Sequence, residues 1–169
     1  MSDRGSRRLA LALAALVILL DQASKLWITQ HFAPGSERPY TAFFSLVYAR
    51  NSGAALSLFA DQAGWQRGLF MAIAITASTV IVILLQRPGR PLFRLGLGLI
   101  LGGALGNLID RITLGYVVDF LWFHIHQHGW PAFNLADSAI DLGAALLLID
   151  GLRNRHGRPS TPSSSGGPA

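Results

Sequence analysis

Four apolar stretches, near residues 9–28, 68–85, 92–112 and 131–152, constrain this chain more than any other feature. Each is about the 20 residues that a helix needs to cross a hydrocarbon layer of roughly 30 Å. Hydrophobic residues make up 51% of the 169 and charged ones only 14%, so the expected solvent of the folded chain is lipid. The expected architecture is an all-α integral membrane protein of four transmembrane helices. Glycines 96, 98, 102, 103 and 106 are expected to form one small face on the third, along which a neighbouring helix can approach closely. Pro131 suits the first turn of the fourth.

Charge orients the bundle. The formal charge is +5, and arginines gather at Arg4, Arg7 and Arg8, at Arg87, Arg90 and Arg94, and at Arg153, Arg155 and Arg158. With four spans drawn, all three groups fall on one side, which the positive-inside rule makes cytoplasmic. Both termini are then inside, and the basic balance does not indicate nucleic acid as a partner. The N-terminus resembles a secretion signal, but no small-x-small cleavage site follows, so the first span is expected to be retained. There is no cysteine, which excludes disulfides, thiolate metal sites and a cysteine nucleophile.

Two outer segments are expected. Residues 30–67 are too long for a plain connection. Within them, residues 40–48 are aromatic and β-branched, bounded by Pro39 and Asn51-Ser52-Gly53, and predict a strand and turn of a small outer sheet. Residues 113–130 form a second outer loop whose Tyr116, Phe120, Trp122, Phe123 and Trp130 suit the headgroup layer. A membrane domain over 1–158 and a disordered cytoplasmic tail over 159–169 complete the organisation.

Polar groups inside spans are costly, about 2.5–3.5 kcal/mol for an acid at a helix centre, so each calls for a role. Their depths agree. Asp21 and Lys25 lie in the last turns of the first span, Asn107, Asp110 and Arg111 near the outer end of the third, and Asn134 and Asp137 in the first turns of the fourth. Asp119 lies just outside. Asp21 and Lys25, four apart, suit a structural pair, and Asp110 suits an interfacial pair with Arg111. Asp141 is one turn from Asp137 and competes on geometry to be a second catalytic carboxylate. Other chemistries fit less well. No span holds the His-Glu-x-x-His of a metalloprotease, and the His124, His126, His128 alternation has no clear fourth zinc ligand. Lys25, the sole lysine, adjoins Ser24 on a helix and cannot face it. A proton-coupled transporter would spread its polar groups across the bilayer, and an assembly factor would tolerate loss of an aspartate's charge.

Five motifs in order, Asp21-Gln22-Ala23-Ser24-Lys25, Asn51-Ser52-Gly53-Ala54-Ala55, Gly102-Gly103-Ala104-Leu105-Gly106-Asn107-Leu108-Ile109-Asp110-Arg111, Val117-Val118-Asp119-Phe120 and Phe133-Asn134-Leu135-Ala136-Asp137-Ser138, resemble those of prolipoprotein signal peptidases (signal peptidase II). The resemblance implies four transmembrane helices with a small extracytoplasmic sheet and a short amphipathic helix, in a bacterial inner membrane, with the site near the periplasmic face. It implies an aspartic endopeptidase that cuts diacylglyceryl-modified prolipoproteins before the lipidated cysteine. The catalytic pair maps onto Asp119 and Asp137, leaving Asp141 a bystander. Asn51, Gly53, Asn107, Arg111, Asn134 and Ala136 are implied as substrate-binding or supporting residues, and Asp21, Lys25 and Asp110 as structural ones. No cofactor or metal is expected. The expected partners are the lipidated substrate and membrane lipid, with the enzyme a monomer.

Overall fold

The computed structural model describes residues 3–53, 65–125 and 128–155. The elements run α1 (Asp3–His31), β1 (Glu37–Thr41), β2 (Phe44–Asn51), α2 (Trp65–Gln86), α3 (Pro91–Thr113), β3 (Val117–Ile125), β4 (His128–Gly129) and α4 (Leu135–Arg155). By length and composition, α1, α2 and α3 are apolar enough to cross a membrane. α4 is 21 residues long but carries Asp137, Asp141 and Asp150 and is not among them.

α1 has the reverse of a soluble helix's polarity. Leu19 is 67% exposed, while Asp21 and Lys25 are 0% and 3% exposed. Along the apolar run, aliphatic side chains thus face the surroundings while Asp21 and Lys25 face the protein, as expected where the solvent is lipid.

α3 is the hub and packs against α1, α2 and α4. Its glycines do not form the single small face expected from the sequence. Gly98 and Gly102 lie against Ala10 and Ala14 of α1, whereas Gly96 and Gly103 meet Gly143 and Ala136 of α4. At 3.6 residues per turn these glycines spread into two stripes, and each admits a different helix. An apolar cluster of Ala10, Ala14, Ile81, Leu85, Leu97 and Leu101 fills the lower bundle. At this end Arg90 pairs with Asp150 at 2.6 Å, so Asp150 is buried in an ion pair.

The sheet is larger than the sequence suggested. Its antiparallel order is β1-β2-β3-β4. Residues 40–48 are not one strand, because β1 and β2 turn tightly at residues 42–43. The second outer loop supplies β3, which with β2 is an inner strand and whose Val117, Val118, Asp119 and Phe120 are all buried. Ile28 and Phe32 at the end of α1 pack with Tyr48, Val118 and Phe120, seating the sheet on the bundle. Gly115, at φ +86°, provides the turn from α3 into β3.

Pro131 does not open α4. The chain stays extended there, forms a bridge between Phe133 and Leu121, and becomes helical only at Leu135. β3 and β4 form a hairpin, so His124 and His128 stand on different strands and the histidine alternation does not run along one. His126, Ala54, Ala55 and the tail 159–169 lie outside the described residues, and the implied amphipathic helix is not among the described elements.

Candidate active site

Two aspartates reach the site from different elements. Asp119 lies in β3 opposite Ala49 of β2. The backbone N–H groups of Phe120 and Leu121 both donate to the Phe133 carbonyl, at 3.0 and 2.8 Å, and Phe133 N–H donates back to the Leu121 carbonyl at 3.0 Å. This short bridge ties the start of α4 to β3, so Asn134, the next residue, begins the helix beside Asp119.

Asn134 caps α4. Its Oδ1 accepts the Asp137 N–H at 3.0 Å, and its own N–H donates to Asp137 Oδ2 at 3.2 Å. This is a reciprocal capping box with aspartate in the third helical position. Because Oδ1 is used by the helix, Nδ2 must point the other way. It donates to Asp119 Oδ1 at 2.6 Å and also reaches Asn107 Oδ1 at 3.2 Å and the Val118 carbonyl at 3.3 Å.

Two further asparagines follow the same rule. Lys25 Nζ donates to Asn107 Oδ1 at 2.9 Å, which turns Asn107 Nδ2 onto Asp137 Oδ1 at 2.7 Å. Gly53 N–H donates to Asn51 Oδ1 at 2.8 Å, which turns Asn51 Nδ2 onto Asp119 Oδ2 at 3.0 Å. Gly53 sits at φ +94°, and a Cβ there would lie 2.5 Å from the Phe70 ring, so its place in the motif is steric. Each of the four carboxylate oxygens therefore accepts one N–H from an asparagine.

The Asp119 carboxyl is pushed up to about 6. Burial is the main cause, and the charge of Asp137 adds to it, against the opposing bonds from Asn51 and Asn134 and the more distant Lys25. Such a group can hold or release a proton near neutrality, as acid–base work requires.

The remaining expected residues surround this network. Arg111 donates to the Asn107 carbonyl at 3.2 Å and lies over the Phe70 ring at 5.1 Å. It does not form the expected pair with Asp110. Asp110 instead meets Lys25 at 3.0 Å, and Lys25 meets Asp21 at 2.8 Å. The compact ammonium reaches both acids in the interior, whereas the Arg111 side chain leans towards α2. Ala136 contributes its backbone N–H, donated to Asp21 Oδ1 at 3.0 Å. Asp141 is exposed, and its carboxylate makes no hydrogen bond or ion pair with the described residues. Gln22, which the sequence offers only as part of the first motif, also joins the network: its Nε2 donates to Asp110 Oδ1 at 2.9 Å and to the Gly106 carbonyl at 3.1 Å. Its signal was an amide inside an apolar span, next to Asp21.

Comparison with known proteins shows what the chain is similar to. The family model for signal peptidase (SPase) II matches residues 13–153. A lipoprotein signal peptidase of Ralstonia nicotianae is 54% identical over 144 residues, covering 85% of this chain and 83% of its own. One of Burkholderia ambifaria is 52% identical over 148 residues, covering 87% and 89%. Among solved structures, the chain is similar to a bacterial membrane enzyme determined by the in meso method at 2.3 Å resolution. The TM-score is 0.77 at 26% identity, over 92% of this chain and 94% of the other.

Proposed function

The chain belongs to the signal peptidase II family of bacterial membrane peptidases, and from that premise we propose that it removes signal peptides from diacylglyceryl-modified prolipoproteins. The bond cut is the one before the lipidated cysteine, with Asp119 and Asp137 as the acid–base pair. In this reading α4 is a fourth span, both termini are cytoplasmic, and the pair waits near the periplasmic face of the inner membrane. Two acyl chains remain among lipid tails while the cysteine backbone rises to the pair, and anchoring in one plane raises the effective concentration of substrate.

The observation that carries the proposal is the way the carboxylates are held. Asp119 and Asp137 share Asn134 as a donor, at 2.6 Å to the first and through its backbone at 3.2 Å to the second. All four of these donor groups are neutral. A cation in direct contact would hold a carboxylate ionised and weaken it as a base, whereas the neutral amides orient Asp119 and lower its basicity by less than burial raises it. Two close acids in a poorly hydrated site do not easily both ionise, so they share one proton, and the titration belongs to the pair.

The ionised member takes a proton from water as the oxygen attacks the scissile carbonyl. The protonated member donates a hydrogen bond to that carbonyl, and as the C–N bond breaks a proton passes to the departing amine. The products are a carboxylate and a free amine on the lipidated cysteine. Arg111, held on Asn107 and Phe70, is left to meet substrate carbonyls.

The test is incubation of the purified chain with a lipidated precursor peptide, with and without a chelator. Chelator-resistant cleavage before the modified cysteine is expected, and Asp119→Asn and Asp137→Asn are each expected to abolish it while the protein still folds. Near-normal turnover by either variant would refute the assignment.

A further inference from the structure

We propose that Asp21, Lys25 and Asp110 are positioning residues that set the spacing of Asp119 and Asp137, an inference that rests on the acid–base reading above. Lys25 Nζ bridges the two acids, at 2.8 Å to Asp21 Oδ2 and 3.0 Å to Asp110 Oδ2. Each acid also holds a backbone N–H. Asp110 Oδ2 accepts that of Val118 at 3.0 Å, and Asp21 Oδ1 accepts that of Ala136 at 3.0 Å. Val118 immediately precedes Asp119, and Ala136 immediately precedes Asp137. The third contact of the ammonium, to Asn107 Oδ1 at 2.9 Å, aims the amide that binds Asp137.

Charge neutralisation alone does not explain this arrangement. One acid would balance Lys25, yet two are present, and Asp21, Lys25 and Asp110 are all at most 3% exposed. A buried ionic cluster with a surplus negative charge is a poor source of stability compared with apolar packing, and its best-attested use is to fix register. α3 is also shaped for it. A Cβ on Gly106 would lie 2.7 Å from Asp21 Oδ2, so the helix has no side chain where that carboxylate crosses towards α4. The pair comes from a strand and a helix, and the cluster ties the residue before each aspartate to α1 and α3.

The test measures kcat and KM for the full chain in lipid nanodiscs, from about pH 4.5 to about pH 9, using the lipidated precursor peptide and activity per folded molecule. The variants are Lys25→Gln, Asp21→Asn and Asp110→Asn. Lys25→Gln leaves two acids facing each other and can cost the fold. Asp110→Asn has one acceptor oxygen where the carboxylate has two, so it cannot hold Val118, Lys25 and Gln22 together as Asp110 does, and it reduces the buried charge, so it decides the matter. A displacement of about 1 Å can cost about 10²-fold, so kcat is expected to fall by roughly that factor with KM changed less than about threefold. The interval between the two limbs of the pH profile is expected to narrow, because coupling between the carboxyls weakens as they separate. Removal of charge alone would move both limbs together. Folded Asp110→Asn with wild-type kcat and an unchanged interval would overturn the proposal. If that result accompanies inactive Asp119→Asn and Asp137→Asn, the positioning role alone fails. A wild-type chain that cleaves nothing defeats the acid–base reading itself.

Discussion

Gly103 and Ala136 are in backbone contact: a Cβ on Gly103 would lie 2.3 Å from the Ala136 carbonyl oxygen and 2.7 Å from Ile140 Cγ1. Ala136 belongs to the first turn of α4 and directly precedes Asp137. Gly103→Ala must therefore displace the turn that carries the carboxylate, because a backbone oxygen cannot swing aside. Overpacking of this kind costs about 1–3 kcal/mol. The variant is expected to melt earlier and to lose at least tenfold in kcat, an estimate on the order of what small displacements produce. Gly151→Ala, which meets nothing within 4 Å, is the control and keeps both properties. Thermal melting and single-turnover cleavage measure the pair.

Asn134→Ala removes the helix cap and the Asp119 donor in one step. Loss of an asparagine cap costs about 0.5–2 kcal/mol. Loss of the 2.6 Å bond leaves the Asp119 side chain held by Asn51 alone among these asparagines. We expect a modest loss of stability and a fall in kcat of about 10²-fold or more, since both carboxylates depend on this residue for orientation. A variant with near-wild-type turnover would show that the cap does not hold the pair.

The raised Asp119 carboxyl predicts a pH-dependent stability. A carboxyl raised from 3.8 to about 6 on folding favours the protonated native state, so its contribution is fully present below pH 3.8 and is lost as pH rises through about 6. The loss amounts to about 3 kcal/mol. Asp119→Asn cannot ionise. Its stability relative to wild type is therefore expected to be more favourable at about pH 7.5 than at about pH 4 by an amount of that order. Melting curves at both values measure this, and an equal difference at the two would contradict it.

Asp141→Asn is expected to retain activity. The carboxylate is exposed and stands outside the asparagine network although it lies one turn from Asp137. A loss comparable to that of Asp137→Asn in the same peptide assay would shift the second carboxylate one turn deeper.

The amino-acid sequence alone determined the apolar character of the chain, the existence of its four long helices and the gathering of its polar residues towards one end of them. These are local properties, read from the length of each apolar run and the position of each charge within it. It did not reveal that residues 113–130 supply one of the two inner strands of the sheet, because burial of Val117 to Phe120 depends on α1 and β2. Nor did it reveal that α4 starts at Leu135, because a bridge to Leu121 holds the chain extended past Pro131. Only the tertiary structure decided that Asp110 pairs with Lys25 and not with its neighbour Arg111, and which asparagine oxygen faces which donor. The choice of partner among buried polar groups depends on which helices and strands meet. Lys25 and Asn107 are 82 residues apart in the chain, and Asp21 and Ala136 are 115 apart, so no local pattern records either contact.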